Sequence, residues 1–341
     1  MIPRLNISFS LKNQWTFGFG HEYAPREGEY LLNHARSGIV MALRAALPEG
    51  GRVGVVAYNC HTVANAVVEA GGTPIFVDVT EELHVDVQHL DGLQLDAIVV
   101  TNLFGIRNDV DAIRAVLGQK PIIVDNAHGY GLPAEGDFTV YSINQGKLPA
   151  LGAGGLLCVN NVQYQETVEQ QYAQLSKYSL VAEIKLFIIM LLNAWMHMPL
   201  MYRMITLPLK RKRKGGSCKE KIAMTRMAKG VSRLYNMALP TMQEQLSQRK
   251  TNAQYMLNVW RKLGLGTQVW YGENAFMLIG CHKNPEKIVA MFAAHGVEVA
   301  THFAKSIEWA KEFGYTEGQC PMAERLTKEL IMIPTYKEIK L

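Results

Sequence analysis

The chain has 341 residues, 48% of them hydrophobic and 19% charged, enough for one large domain with a sizeable core and a smaller companion. Its net charge of +5 does not point to nucleic acid, because Lys210 to Lys214 form the one dense basic run and the remainder is close to neutral. Five scattered cysteines without CxxC spacing or a histidine cluster argue against a disulfide framework and a metal site, and fit a reducing cytoplasm.

The N-terminus, Met1 to Asn6, lacks the apolar core of a signal peptide. Helical periodicity starts at Ser37 and runs to Ala46, with Ile39, Val40, Leu43 and Leu47 on one side. His61 to Ala70 and Asp109 to Leu117 read as further helices. Short β-branched runs alternate with them: Gly54-Val55-Val56, Ile75-Phe76-Val77, Ala97 to Val100, and Ile122-Ile123-Val124. This alternation predicts an α/β fold with a mostly parallel, covered sheet, and ligands at the carboxyl ends of the strands.

Two of those ends carry chemistry. The fourth run leads into Asp125-Asn126-Ala127-His128, and Phe138 to Tyr141 leads into Ser142 and then Lys147. A carboxylate and a lysine at neighbouring strand ends suit pyridoxal phosphate, which needs an amine for a Schiff base and an acid for its pyridinium nitrogen. Singly, Asp125 also reads as a turn residue and Lys147 as a solvated loop residue.

A series of motifs sets these residues in a pattern. Ser37-Gly38-Ile39-Val40-Met41-Ala42-Leu43 is followed by Tyr58-Asn59-Cys60 and Ala64-Asn65-Ala66. Then come Ala70-Gly71-Gly72-Thr73-Pro74-Ile75-Phe76-Val77-Asp78 and Asn102-Leu103-Phe104-Gly105. Asp125 to His128, Ser142 to Lys147, Gly152-Ala153-Gly154-Gly155 and Pro321-Met322-Ala323-Glu324-Arg325-Leu326 complete the order. The chain resembles the DegT/DnrJ/EryC1/StrS family of PLP-dependent sugar aminotransferases. The resemblance implies a type I aminotransferase fold, with residues 1–235 as the large PLP-binding domain and 236–341 as a smaller C-terminal α/β domain.

It also implies roles. Lys147 is the Schiff-base lysine and the base that moves the substrate proton. Asp125 holds the pyridinium proton, and His128 lies beside the phenolic oxygen, with a structural core histidine as its other reading. Ser142 is a phosphate ligand. The amides of Ser37, Gly38, Ile39 and Val40, at a helix start, suit the same phosphate, and Ser37 also reads as an ordinary N-cap. Cys60 stands near the family's ring-stacking aromatic, so Tyr58 or His61 would have to substitute for it, and Ile39 replaces a threonine. The family's cross-subunit Asn-x-Arg element would lie near 226–233, with Arg226, Ser232 and Arg233 as candidates.

The resemblance lapses between about 165 and 225. Leu186 to Tyr202 carries no formal charge and precedes Lys210 to Lys214. Asn193, His197 and Pro199 interrupt it, which disfavours a transmembrane helix. The segment 181–215 then reads as an interfacial helix with a polybasic flank, giving peripheral membrane contact through 181–214, or as a buried helix at a dimer interface.

The resemblance thus implies a cytoplasmic homodimer, at most associated with the cytoplasmic membrane face. It passes an amino group from an amino-acid donor, expected to be glutamate, to a nucleotide- or lipid-linked keto-sugar substrate in polysaccharide or glycoside biosynthesis. Two alternatives remain: a PLP-dependent sugar dehydratase, whose relatives replace the lysine by histidine, and a non-catalytic scaffold or regulator.

Overall fold

The computed structural model describes residues 1–9, 13–206, 208–209, 218–266, 268–301 and 303–339. Seven strands form the main sheet: β1 (Glu29–Leu32), β2 (Arg52–Val56), β3 (Thr73–Val77), β4 (Ala97–Thr101), β5 (Ile122–Asn126), β6 (Phe138–Ser142) and β7 (Gly155–Val159). Their order in space is β1-β7-β6-β5-β4-β2-β3. β7 runs antiparallel to both neighbours, and the other pairings are parallel. Every residue of β4 and β5 is buried, as near-continuous apolar runs require when both faces are covered.

The expected helices are present with shifted ends. The first runs Ala35–Ala46 and opens two residues before Ser37, with His34 as its extended N-cap residue. Ser37 is therefore inside the first turn and does not cap it. Gly38 lets this helix lie close to the sheet, because a Cβ there would meet Val140 Cγ1 at 2.9 Å. The second helix is His61–Glu69. The third is Val110–Leu117, started by the Asp109 carboxylate, which accepts from the Ala112 amide at 3.0 Å.

A smaller antiparallel sheet has the order β10 (Leu330–Pro334), β9 (Met277–Cys281), β8 (Val269–Tyr271). The helix Met242–Lys262 packs on it through Met256 and Trp260, both almost fully buried. The first residues of the chain run along this smaller unit, where Ile2 bridges Val297.

The helix Leu180–Met196 begins at Ser179, whose hydroxyl accepts from the Ala182 amide at 3.2 Å. Its inner side, including buried Met190 and partly buried Phe187, packs on Phe9, Phe17, Leu148 and Leu151. A 76° bend separates it from Pro199–Thr206. Among the described residues no single helix is long and apolar enough to cross a membrane. The basic run 210–214 lies outside the described residues.

The turn after β4 is the most constrained near the site. Gly105 has φ +81°, and a Cβ there would lie 1.8 Å from Asn274 Oδ1. Gly105→Ala is expected to lower stability by about 2–3 kcal/mol, from the left-handed backbone and the displaced Asn274. Urea unfolding checks this; a midpoint equal to wild type would contradict it.

Candidate active site

Parallel pairing aligns the strand ends that carry the polar groups. Thr101 is opposite Asp125 between β4 and β5, and Asn126 is opposite Tyr141 between β5 and β6. At this edge lies a cavity of about 230 Å³. Asp125, His128, Ser142, Lys147, Cys60 and Ile39 all line it.

Asp125 is 4% exposed and has no ion pair within salt-bridge distance among the described residues. Its Oδ1 accepts from the Ala127 amide at 2.9 Å, and the Thr101 hydroxyl approaches Oδ2 at 3.4 Å. Asn59 orients that hydroxyl by donating to it at 2.8 Å. Burial pushes the Asp125 carboxyl above its usual range, against the Ala127 amide, the Lys147 charge and the Thr101 hydroxyl.

Lys147 follows β6 on a turn in which its amide donates to the Asn144 carbonyl at 3.1 Å. Part of its side chain remains accessible, yet burial lowers its amine pKa, while negative charge on Cys60 and Asp125 would raise it. The unfolded chain therefore binds more protons than the folded one between the lowered value and the free-lysine value of 10.5, so this group's contribution to stability rises with pH across that window. In cofactor-free protein, Lys147→Met is expected to melt about 2–4 °C higher than wild type at neutral pH. The gap should close as the pH approaches 10.5. Thermal melts across that range test this; an equal or lower melting point for the variant at neutral pH would show that the amine is not desolvated.

His128 is fixed on three sides. Its ring stacks on Phe276 at 4.5 Å and on Phe104 at 5.2 Å, and its Nδ1 accepts from the Phe104 amide at 3.2 Å. Accepting at Nδ1 places the proton of a neutral ring on Nε2. Phe104 holds an unusual backbone, φ +53°, to make this contact. The Asn102-Leu103-Phe104-Gly105 motif thus acts by positioning His128.

At the helix start, Ala35 and Arg36 line the cavity. They are the first two helical positions, whose amides have no partner within the helix. Ser37, Gly38 and Val40 do not line it. The Ser37 hydroxyl donates to Asn33 Oδ1 at 2.8 Å, and its amide donates to the His34 carbonyl at 3.2 Å. Both groups are thus engaged within the helix start, and the helical residues that line the cavity there, Ala35 and Arg36, precede the expected start at Ser37 by two and one residues. Ile39 reaches the cavity through its side chain, from inside the helix. His34 also lines the cavity, and its Nδ1 is buried without a partner. Burial, then the Arg36 charge, lowers its pKa to about 4, so its ring is neutral at physiological pH.

Cys60 precedes the helix His61–Glu69 and accepts from the Thr62 hydroxyl at 3.2 Å. Burial raises its pKa, but hydrogen bonds with His61 and Thr62 outweigh this and leave the thiol below its usual value. Tyr58 and His61 do not line the cavity. Phe303, from the smaller unit, does, and it carries no signal in the sequence: it is a single aromatic in a loop outside every motif. Arg226, Ser232 and Arg233 lie off the cavity. Arg226 sits over the Tyr172 ring at 4.5 Å, Ser232 accepts from the Tyr23 amide at 3.0 Å, and Arg233 donates to the Phe17 carbonyl at 3.2 Å.

The model of the DegT/DnrJ/EryC1/StrS aminotransferase family matches residues 31–341. The chain belongs to this family. The chain is 26% identical over 151 residues to the spore coat polysaccharide biosynthesis protein SpsC of Bacillus subtilis (strain 168). That match covers 40% of this chain and only 39% of SpsC. The sugar aminotransferase CalS13 from Micromonospora echinospora shares the fold at TM-score 0.71 and 16% identity, over 98% of this chain and 95% of that one. The E. coli GDP-4-keto-6-deoxy-D-mannose-3-dehydratase with bound hydrated PLP aligns at TM-score 0.66 and 16% identity, over 96% of this chain and 86% of that one. The fold is the type I PLP-dependent fold, and the cofactor of this family is pyridoxal 5′-phosphate.

The donor set of the aminotransferase fits that cofactor. A buried carboxylate with no ion pair within salt-bridge distance among the described residues suits a pyridinium N–H. The helix start at Ala35 and Arg36, the Arg36 guanidinium and the Ser142 hydroxyl, all on the cavity wall, suit a phosphate. Lys147, on the same wall, would supply the amine.

Proposed function

We propose that this aminotransferase moves the amino group of L-glutamate to a keto group on a nucleotide-linked sugar destined for a surface polysaccharide or glycoside. The observation that carries this reading is Lys147 and Asp125 on one cavity, with the amine pushed toward its neutral form by burial. Bound PLP supplies an aldehyde carbon for the lysine and a ring that accepts electron density. The protein's part is to hold and move protons. Asp125 keeps the ring nitrogen protonated, and that cation in turn favours its ionised form. Lys147, as a neutral amine, takes the proton from the donor Cα and returns it on the other side of the reaction. His128 donates through Nε2 toward the phenolic oxygen. Ala35, Arg36 and Ser142 would anchor the phosphate, and Phe303, an aromatic on the cavity wall, would offer a face to the ring.

The name of SpsC supports the polysaccharide setting. The family supports a homodimer with sites at the interface, and five unpaired cysteines fit a cytoplasmic location. The dehydratase among the structural relatives shares the fold alone. Lys147, a base for transamination, favours amino transfer over dehydration.

The test is the absorption spectrum of PLP-loaded protein before and after L-glutamate. The yellow band should bleach as 2-oxoglutarate appears. A band that ignores glutamate would remove the donor assignment, and no band at all would remove the cofactor site.

A further inference from the structure

The helix Leu180–Met196 buries only one side. On the other, Val181, Ile184, Ile188, Leu192 and Trp195 follow at intervals of three or four residues and are 49–62% exposed. Beyond the bend, Leu200 and Met204 are 62% and 65% exposed. A continuous apolar stripe of this length facing water marks an interaction surface.

Charge decides what covers it. Between residues 180 and 209 the formal charges are Glu183, whose carboxylate accepts from the Lys229 amide at 2.9 Å, and Lys185 and Arg203, both exposed and both positive. The sequence continues directly into Lys210-Arg211-Lys212-Arg213-Lys214, and no acidic residue occurs from 184 to 214. A two-fold contact with a second copy would set this face against itself and bring like charges together. An anionic lipid surface takes the apolar stripe and neutralises the cations at once.

Geometry decides how it lies. Seventeen residues of helix reach about 25 Å, short of the roughly 30 Å hydrocarbon layer, and the chain then turns by 76°. The bent pair therefore suits the plane of the interface and not a span, with Trp195 near the bend where aromatic rings favour the headgroup level. The bend is also tied to the cavity. His197 donates from Nδ1 to the Asn193 carbonyl at 2.8 Å, and its Nε2 accepts from the side chain of Gln145, also at 2.8 Å. Gln145 lines the cavity, two residues before Lys147.

We propose that the bent pair Leu180–Met196 and Pro199–Thr206 is a docking surface for an anionic lipid bilayer, joined to the Lys147 cavity wall through the Gln145–His197 bond. This holds whatever sugar the enzyme uses. The test is co-flotation of the full, PLP-loaded chain with phosphatidylcholine vesicles, with and without phosphatidylglycerol. Wild type should float with the anionic vesicles, about tenfold more than with neutral ones. The double variant Ile188→Glu/Leu192→Glu should lose flotation, with PLP absorbance and melting point unchanged because both side chains are half in solvent. Replacing the five cations 210–214 by Gln should remove the preference for anionic lipid. Absence of flotation would overturn the proposal, as would flotation unaltered by the double variant. So would a light-scattering mass that the double variant halves while no vesicle binds, which would assign the face to a second copy.

Discussion

Lys147→Ala is expected to abolish amino transfer, with kcat falling about ten-thousandfold, and to remove the yellow absorbance of the PLP-loaded protein. The effect is large because one amine has two tasks. In the proposed reaction it would hold the cofactor aldehyde and would carry the proton between the two carbon centres. Burial lowers its pKa, so more of it is neutral and able to do both. No other lysine lines the cavity, so nothing in the wall replaces it. PLP should still bind through the phosphate contacts and Asp125, but without the shifted band of the lysine adduct. The measurement is 2-oxoglutarate release from glutamate together with the absorption spectrum. A variant that keeps the band and full turnover would remove Lys147 from the chemistry.

Asp125→Asn is expected to lower kcat by about 10²–10³-fold while leaving the fold intact. An amide cannot hold the ring nitrogen in its protonated form, so the electron sink weakens although the cofactor is bound. The hydrogen bond from the Ala127 amide can still be accepted by an amide oxygen. The folded-state pKa of Asp125 is raised by burial, so its contribution to apo stability is fully present below the unfolded value of 3.8 and is lost as pH rises through the folded value. The substitution removes a buried carboxylate whose charged form desolvation opposes and that has no ion pair within salt-bridge distance among the described residues. The apo variant should therefore melt no lower than wild type while its holoenzyme is nearly inactive. A purely structural role for Asp125 predicts the opposite split: a lower melting point with near-normal turnover in the surviving protein.

Much of the fold could be read from local pattern. β4 and β5 are continuous β-branched runs and are buried on both faces, so their signal was strong. β7 and its antiparallel direction were not legible, because direction is set by tertiary pairing with β6 and β1. Asp125 and Lys147 were suggested by neighbouring strand ends and His128 and Ser142 by the family resemblance, and the parallel strand ends bring all four to one cavity. The helix start was displaced for a physical reason. Apolar periodicity is carried by Ile39, Val40 and Leu43, whereas the first turn is Ala35 and Arg36, which carry little of that signal. Phe303 was invisible because it arrives from the smaller unit across nearly two hundred residues. The segment 181–209 showed its composition in sequence, but only the fold shows which side chains face outward.

The central claim is transfer of nitrogen to a sugar by a Lys147-dependent reaction. The most direct measurement is mass spectrometry of a panel of nucleotide-linked keto sugars after incubation with PLP-loaded protein and ¹⁵N-labelled L-glutamate. The expected product is an amino sugar carrying the ¹⁵N label, formed by wild type and absent with Lys147→Ala. A product that has lost water and gained no label would contradict it and establish the dehydratase reading in its place.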